Sequence, residues 1–557
     1  MRQSRKRKNA AVPVDGQPKT AYKSPAICEA EELLVCVEKI ENQTSFRSDL
    51  WKYKWELEKM DQIRLCVETA SISVLVNGVP SNRFRISRGI RQGCPLSPFL
   101  FNIVGEALSR LLKKANEMNV FEGVKVGDES LKITHLQYAD DLIIFGKASM
   151  VNVLNIKRLL RLFEVIAGLK LNLTKTTIFG VNVEENIIKI WVERINCRAG
   201  TLPTEYLGLP LGQKRNRVAL WTHVIEKVKS KLEGWKGISL SFAGRLTQVK
   251  AVLSNLPVYY LSLFQIPSNV ADILNKCIAK FLWSSSSERP IHWVSWENIC
   301  KPRRLGGLGV VDVKTKNQSL LNKWLWRYNS EPNELWRKVV VAKYGINGHN
   351  LLSYCSNSRK LSWIWRDIYK PLENNLNAFT RNLEFVLGDD QNIRFWVDWW
   401  TQYPSLKVQF PRIFSIAIKK EGSVSDFRAK SEVGWVWNVE LRRSLFQWEI
   451  PIWEEFIACI ERAAPGGERA DRLKWRGNTN GSYTPKSFCK FSVSNDAVED
   501  EVWKIVWSKI APPKVQAFLW KVVKGRIPTG SELKKRGIKD ITSNPEVLKS
   551  IRISKHG

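Results

Sequence analysis

The stretch HLQYADDLIIFGKA, residues 135–148, places two adjacent aspartates, Asp140 and Asp141, between two apolar runs. The alternation before the pair and the apolar run after it predict a strand, a tight turn and a second strand. Neighbouring like charges repel each other, so a hairpin core gains nothing from such a pair. The pair is either part of a functional site or simply two acids in a solvated turn, which is the plainer interpretation. The surrounding sequence decides between these two.

The chain is strongly basic. Its 557 residues include 87 lysines and arginines against 54 aspartates and glutamates, a formal net charge of +33. A surplus of this size favours a polyanionic partner, usually nucleic acid, over an incidentally basic surface. The basic start, residues 5–8, predicts a nuclear address, a phosphate-binding arm or a solvated tail.

Two classes of protein are disfavoured by the composition. The lack of a run of 18 or more apolar residues argues against a membrane span, so no membrane partner is expected. Ten cysteines without a C-x-x-C pair, and five scattered histidines, argue against a zinc site and a secreted disulfide framework. We therefore expect reduced thiols in an intracellular protein, which would be nuclear if the basic start is a nuclear address.

Two elements are predicted before the acidic pair. The alternating stretch 71–86 contains Asn77-Gly78, a strong signal for a β-hairpin. The stretch SPFLFNIVGEALSRLLKKA has apolar residues at helical spacing, with Ser97 as the expected N-cap and Pro98 at the first helical position.

Further elements follow the pair. Residues 151–167 predict an amphipathic helix that ends at Gly168, and residues 169–180 predict another strand pair. The order hairpin, helix, hairpin, helix, strand predicts an α+β fold with an antiparallel sheet. Beyond about residue 200 the sequence is basic, mainly helical and rich in tryptophan. We expect most of these tryptophans to anchor cores and a minority to stack on nucleobases.

Two aspartates at the tip of a hairpin suit a divalent cation. Mg²⁺ prefers hard oxygen ligands, and two such ions about 4 Å apart hold the attacking and leaving oxygens in phosphoryl transfer. Apolar strands would fix the carboxylates of Asp140 and Asp141, and bound cations would remove their repulsion. Upstream, in RGIRQGCPLSPFLFN, Gly93 would let the backbone approach a nucleotide, while Arg91 and Gln92 could reach a phosphate or a base edge. An ordinary basic loop before a helix is the alternative.

Four stretches resemble successive motifs of the reverse transcriptases of non-LTR retrotransposons, the plant type especially: RQGCPLSPFLFN, YADDLIIF, GLKLNLTKT and YLGLPLG. The resemblance implies a partial polymerase palm, RNA-directed DNA polymerase as the ancestral nucleotidyltransferase activity, Mg²⁺ as cofactor, and RNA and DNA template–primer as partners. It implies that Asp140 and Asp141 are catalytic metal ligands. Lys175 would protonate the leaving pyrophosphate, with a solvated lysine at a strand end as the equal alternative. The substrate-binding residues that it implies are Arg91, Gln92, Gly93 and Tyr138.

The resemblance covers roughly residues 57–540 and divides the chain into five segments. We expect a basic tail and divergent segment over 1–56, a partial palm over 57–195, a helical thumb-like or connector-like region over 196–330, a tryptophan-rich region over 331–470, and a truncated zinc-binding-like region of reverse transcriptase over 471–557. The last segment offers only Cys489 and His556 as soft ligands, so bound zinc is not expected.

One part of the family pattern is missing. The family carries a third aspartate on the first catalytic strand, in a stretch of the type F-D-x-x-K-A-[FY]-D. Before Cys94 this chain has only Asp15, Asp49 and Asp61, and none lies in such a stretch. We therefore expect a catalytically defective polymerase, with Asp49 as the candidate replacement ligand. A non-enzymatic nucleic-acid-binding protein and a decayed element product are the alternatives.

Overall fold

The computed structural model describes fourteen stretches of the chain. They are residues 63–86, 93–127, 131–212, 217–235, 239–283, 291–345, 351–352, 361–373, 378–401, 404–431, 434–463, 470–492, 500–508 and 510–535. The chain folds as two compact units: residues 1–124 and 132–200 form the first, and residues 125–131 and 201–557 form the second. The first unit has one apolar core and the second unit has two.

A helical stretch at residues 63–68, three longer helices and a set of short strands make up the described part of the first unit. The longer helices are Ser97–Glu117, Met150–Ala167 and Glu185–Ile195. The strands are Ser71–Ile72, Leu75–Val76, Val79–Pro80, Phe84–Arg85, Val124–Lys125 at the unit boundary, Lys132–Ile133, His135–Tyr138, Asp141–Ile144, Thr177–Phe179 and Arg198–Gly200. Leucines and phenylalanines of the first two helices, with Phe121 between them, form the core of this unit.

The ends of the two longest of these helices follow from local residues. Ser97 is not the N-cap, as predicted, because Leu96 already has helical angles (φ −76°, ψ −29°) and takes the cap position without a side-chain hydrogen bond. Pro98 therefore lies one position deeper than predicted, still in the first turn, where an N–H is not needed. In the next helix the Ser149 hydroxyl caps the start, and Gly168 ends the helix at φ +67°, as predicted.

The hairpin predicted over residues 71–86 is confirmed. Its inner strands, Leu75–Val76 and Val79–Pro80, pair in antiparallel register. Asn77 and Gly78 between them have φ values of +50° and +85°. Two positive φ angles are what a two-residue turn needs to match the twist of the strands.

The strand pair predicted over residues 169–180 is wrong in its first half. Only Thr177–Phe179 is a strand, and its partner is the parallel strand Arg198–Gly200. Asn172 explains the difference, because its carboxamide and its carbonyl oxygens both accept the backbone N–H of Lys175, at 3.2 and 3.1 Å. Such a side-chain turn offers the backbone an alternative to a strand.

Helices dominate the described part of the second unit. The α-helices are Arg217–Glu233, Phe242–Gln248, Val258–Leu261, Ser268–Leu282, Trp296–Cys300, Val313–Ser330, Leu335–Tyr344, Trp363–Glu373, Ala378–Arg381, Leu406–Gln409, Pro411–Ile416, Ile450–Arg462, Pro485–Phe491, Val502–Val506, Pro513–Val523 and Gly530–Lys535. A π-helical turn, Val249–Leu253, and short 3₁₀ turns, Arg303–Leu305, Val424–Phe427 and Gln447–Glu449, join them. The paired strands are Thr204–Tyr206 with Leu209–Leu211, Leu383–Val386 with Arg472–Trp475, and Arg428–Ser431 with Gly434–Trp437.

Helices with small, mainly antiparallel two-stranded sheets agree with the predicted α+β class. The five-segment division of the chain stays a prediction. No helix in the described stretches combines the length and the apolar character that crossing a membrane requires.

Two apolar cores hold the second unit together. The tryptophan core includes Trp396 and Trp475, and the connector core includes Trp221 and Trp520; all four side chains are fully buried or nearly so. The prediction that most tryptophans anchor cores is thus confirmed for the described residues, although Trp448 is 58% exposed. Burying an indole ring removes a large apolar area from water, so these residues contribute heavily to stability.

The C-terminal stretch joins both cores. Tyr483 packs in the tryptophan core, and its hydroxyl donates to the Ser319 carbonyl at 2.7 Å. Trp503 and Trp520 pack in the connector core, where the Trp520 indole donates to the Gly306 carbonyl at 2.9 Å. The described residues from Tyr483 to Trp520 are therefore built into the second unit.

Candidate active site at the Asp140–Asp141 hairpin

The acidic pair lies at the tip of a regular hairpin. The two strands predicted around it form and pair in antiparallel register, with Tyr138 opposite Asp141. Ala139 and Asp140 are the two turn residues, and Ala139 has a φ of +51°. A residue with a Cβ is strained in that region by about 1–3 kcal/mol, and such strain persists only where the surrounding structure imposes it. The turn conformation, and with it the position of Asp140, is therefore set by the strands.

The two faces of the hairpin differ. His135 and Gln137 are half-buried against the preceding helix, whereas Leu136 and Tyr138 on the other face are 41% and 64% exposed. Asp141 shares this open face with Tyr138, because directly opposite residues of an antiparallel pair point to the same side. The open face thus presents a carboxylate beside a phenol ring.

A glycine and a serine one helical turn apart fix the hairpin to that helix. A Cβ added to Gly105 would lie 2.9 Å from the Gln137 amide nitrogen, so the glycine makes room for this side chain. Four residues later, the Ser109 hydroxyl lies 3.0 Å from His135 Nε2. The Gln137 amide in turn donates a long hydrogen bond, 3.5 Å, to the Ala139 carbonyl in the turn.

The packing around His135 favours the neutral form of its imidazole. Burial lowers its pKa below the usual value, the charge of Lys113 lowers it further, and Glu106 opposes the change. The second ring nitrogen, Nδ1, lies 2.9 Å from the Thr134 hydroxyl. Because a protonated ring is disfavoured here, the attachment of the hairpin to the helix is expected to weaken in acid.

The carboxylates of Asp140 and Asp141 are available to a cation. Both residues are exposed, and neither side chain has a hydrogen-bond or ion-pair partner within the described residues. Mg²⁺ usually takes one or two carboxylates together with substrate phosphates, so the chemistry of this donor pair fits one such ion. In the described part of the chain no group of three or more acidic, histidine or cysteine side chains could hold a metal ion. Asp49 and Asp61 lie outside the described residues.

The predicted nucleotide-side loop is described only at its end. Arg91 and Gln92 lie outside the described residues, so their roles stay predictions. Gly93 has a φ of +87°, and no atom lies within 4 Å of the position a Cβ would take. The need for glycine at this position is thus conformational, and the space beside its backbone is open.

Lys175 lies in the turn that Asn172 organises, just before the strand Thr177–Phe179. Its side chain is exposed, and no hydrogen bond or ion pair of the described residues links it to Asp140 or Asp141. The structure therefore leaves both interpretations of this lysine open to experiment.

Comparison with known proteins supports the class that the hairpin indicates. The family model of reverse transcriptase (RNA-dependent DNA polymerase) matches residues 46–211. A second model, zinc-binding in reverse transcriptase, matches residues 483–544. The first match contains the acidic hairpin and the loop before it, which places the chain in the class of reverse transcriptases.

The relatives narrow this class. A protein of Arabidopsis thaliana provisionally named as a ribonuclease H protein is 29% identical over 340 residues, 59% of this chain and 52% of the relative. An uncharacterized mitochondrial protein of the same plant is 32% identical over 147 residues, 26% of this chain and 92% of that protein. The Pol polyprotein of the type-2 retrotransposable element R2DM of Drosophila melanogaster is 27% identical over 271 residues, 46% of this chain and 24% of the polyprotein.

The matched models and these relatives support the assignment that the motifs predicted, a reverse transcriptase of a non-LTR retrotransposon. It spans about half the length of the first Arabidopsis relative, 52%, and about a quarter of the fly polyprotein, 24%. The comparisons thus support a reverse transcriptase domain of transposable-element origin. Polymerase activity and nucleic-acid binding are proposals.

The residues of the second matched region do not fit zinc. Residues 483–544 contain one cysteine, Cys489, and no histidine. Burial raises the pKa of the Cys489 thiol, which opposes the thiolate form that zinc binds. Apolar packing accounts for the position of this region where it is described.

Sequence reasoning missed the residues that position the hairpin. Gly105 and Ser109 both lie inside the helix Ser97–Glu117, at the i, i+4 spacing that places two side chains on one helix face. An isolated glycine inside a helical pattern often has a packing reason, and that signal could have pointed to Gly105.

Proposed function

We propose that this retrotransposon-derived reverse transcriptase domain protein binds template–primer nucleic acid and one divalent cation, and that it does not extend primers. The single observation that carries the proposal is the acidic hairpin: two adjacent, exposed carboxylates on a rigid turn, without a third ligand in the described residues. The pair would bind the cation, and without a third ligand primer extension would fail.

Asp140 and Asp141 would hold the cation. When bound, a divalent cation neutralises and orients phosphate oxygens. The chain's own contribution is positional: the strained turn and the attachment of Gln137 to the helix keep the two carboxylates in one place. Tyr138, on the open face beside Asp141, is the expected contact for the incoming substrate.

Catalysis would suffer most from the incomplete ligand set. Phosphoryl transfer depends almost entirely on positioning and on electrostatic stabilisation of the transferred group. Two carboxylates that fit a single ion cannot supply the symmetric two-ion arrangement that stabilises both the attacking and the leaving oxygen. Proton donation from Lys175 to the leaving group would not compensate, because it acts on one of these oxygens only.

Nucleic acid is the proposed partner on two grounds. With a formal net charge of +33, the chain's lysines and arginines would bind phosphates and release the counterions of the nucleic acid. Arg91, Gln92 and Gly93 lie in the matched reverse transcriptase region and precede the helix Ser97–Glu117, against which the hairpin packs. RNA and DNA strands of a template–primer are the ligands that this family assignment suggests.

Primer extension on an RNA template with Mg²⁺ or Mn²⁺ tests the catalytic part. We expect no incorporation above that of Asp140→Asn, and equal behaviour of the control Glu193→Gln, which removes an exposed acid elsewhere in the first unit. Incorporation that persists in Glu193→Gln and disappears in Asp140→Asn would contradict the proposal. Asp49→Asn and Asp61→Asn would then show which acid completes the site.

A salt titration of RNA–DNA hybrid binding tests the other part. Affinity should fall steeply as salt rises, because each neutralised phosphate releases counterions. An affinity for the hybrid that does not change with salt concentration would contradict nucleic acid as the partner.

A further inference from the structure

A glycine-rich loop in the second unit is surrounded by positive charge. The loop 301–309, KPRRLGGLG, folds back on itself, with the Gly309 N–H donating to the Lys301 carbonyl at 2.9 Å. A Cβ on Gly307 would collide with that same carbonyl, and Gly306 has a φ of +76°. Glycines therefore give this loop a close-packed, defined shape.

Lysines from two distant helical segments reach the same loop. Lys524 Nζ lies 2.9 Å from the position a Cβ of Gly306 would take, and Lys250 Nζ lies 3.7 Å from that of Gly309. Lys250 belongs to the π-helical turn Val249–Leu253, whereas Lys524 follows the helix Pro513–Val523. Tertiary folding thus assembles charges that are far apart in sequence.

Aromatic rings hold two of the cations in place. The Arg303 guanidinium lies over the Trp507 ring at 4.6 Å, and Lys524 lies over the Trp503 ring at 4.8 Å. The Trp507 indole also donates to the Arg303 carbonyl at 3.1 Å. Cation–π contacts orient these groups without neutralising their charge.

The charges of this loop cluster, defined as Lys250, Lys301, Arg303 and Lys524, are not balanced by acids. Among the described residues none of the four forms an ion pair with a carboxylate. Burial lowers the pKa of Lys250 to about 8, with a further contribution from Arg303. Burial also lowers the pKa of Lys524, and the neighbouring Lys301 adds to the effect. Uncompensated, partly buried like charges destabilise the folded state unless an anion joins them.

We propose that the loop cluster is a binding site for the phosphodiester backbone of a nucleic acid strand. Several cations around one glycine loop suit the closely spaced phosphates of a strand. The residues of this site belong to the second unit, whereas the acidic hairpin belongs to the first. The proposed site rests on the proposed nucleic-acid partner and not on polymerase activity.

The test compares two double variants of the full chain by oligonucleotide binding across salt concentrations. Lys250→Gln/Lys524→Gln removes two charges from the loop cluster. Lys276→Gln/Lys338→Gln removes two exposed lysines from helix surfaces of the same unit and serves as the control.

Binding of a single-stranded oligonucleotide should weaken by roughly tenfold to thirtyfold at 0.1 M salt in the cluster variant, with a log–log salt slope shallower by about 1.4, since each single-strand phosphate contact contributes about 0.7. The control should lose less than about threefold, as expected for diffuse charge. Equal losses in the two variants, no loss in the cluster variant, or a parent chain that does not bind would overturn the proposal.

Thermal melting without nucleic acid separates binding from a structural role. The cluster variant should melt at or above the temperature of the parent, because repulsion is relieved. A clearly lower melting temperature would show that the lysines support the fold and would overturn the proposal.

A second melting experiment distinguishes a nucleic acid strand from a free phosphate-containing anion. The parent is melted with inorganic phosphate or a deoxynucleoside triphosphate. If these raise its melting temperature while the cluster variant binds the oligonucleotide as the parent does, the site binds a free anion and the proposal is wrong. The oligonucleotide titration does not depend on primer extension, so failure of synthesis leaves this test intact.

Discussion

Replacing Trp520 tests whether packing holds the region matched as zinc-binding. The indole is fully buried, stacks on Phe242 with centroids 6.2 Å apart, and donates to the Gly306 carbonyl across 214 residues of sequence. Trp520→Ala removes the ring and leaves a cavity, which should cost about 3–5 kcal/mol of unfolding free energy. Trp520→Phe keeps most of the apolar contact and leaves the carbonyl unpaired, at a cost of about 1–3 kcal/mol.

Urea unfolding followed by far-UV circular dichroism measures both changes. The control is Ile505→Ala, in the helix Val502–Val506 of the same region, where the side chain is 72% exposed. A surface change of this kind should stay within about 0.5 kcal/mol. If Trp520→Ala lost no more stability than Ile505→Ala, the assignment of this region to the connector core would be wrong.

Three further predictions concern stability. Excess EDTA should leave the melting temperature of the chain unchanged, because no zinc site fits the C-terminal residues; a large drop in the melting curve would contradict this. His135 has a lowered pKa in the fold, so the unfolded chain binds its proton first as pH falls. The stability that depends on neutral His135 should be complete above about pH 6.5 and decline below it. His135→Gln should remove this decline from a plot of unfolding free energy against pH. A curve unchanged by the substitution would contradict the assigned role of His135. Asp471 accepts the backbone N–H groups of Gly388, Asp390 and Asn392 at 2.7, 3.1 and 2.8 Å. Asp471→Ala would leave these groups unpaired and should lower the unfolding free energy, measured with urea, by about 3 kcal/mol or more. A negligible loss would show that water replaces the carboxylate and would contradict this prediction.

Local signals in the sequence predicted much of the first unit. Asn77-Gly78 and Gly168 take the positive φ angles that their turn and helix end require. The prediction was wrong where side-chain chemistry overrode the pattern: Asn172 turns the backbone before the strand Thr177–Phe179, and Leu96 takes the cap position expected for Ser97. Short polar side chains compete with regular structure in ways that apolar periodicity does not show.

The candidate site was predictable only in part. A hairpin with two carboxylates at its tip follows from alternation and residue type, and the structure has it. The role of Gly105 depends on its distance from Gln137, which lies on a later strand. The loop cluster could not be predicted, because Lys250 and Lys524 meet the same loop only after the connector core has formed.

The central claim, that the hairpin offers an incomplete metal site, is tested most directly by counting bound Mn²⁺ ions by electron paramagnetic resonance. We predict one weakly bound ion per chain that is lost in Asp140→Asn/Asp141→Asn and kept in Glu193→Gln. Two tightly bound ions in the parent, or an ion retained by the double variant, would contradict the account.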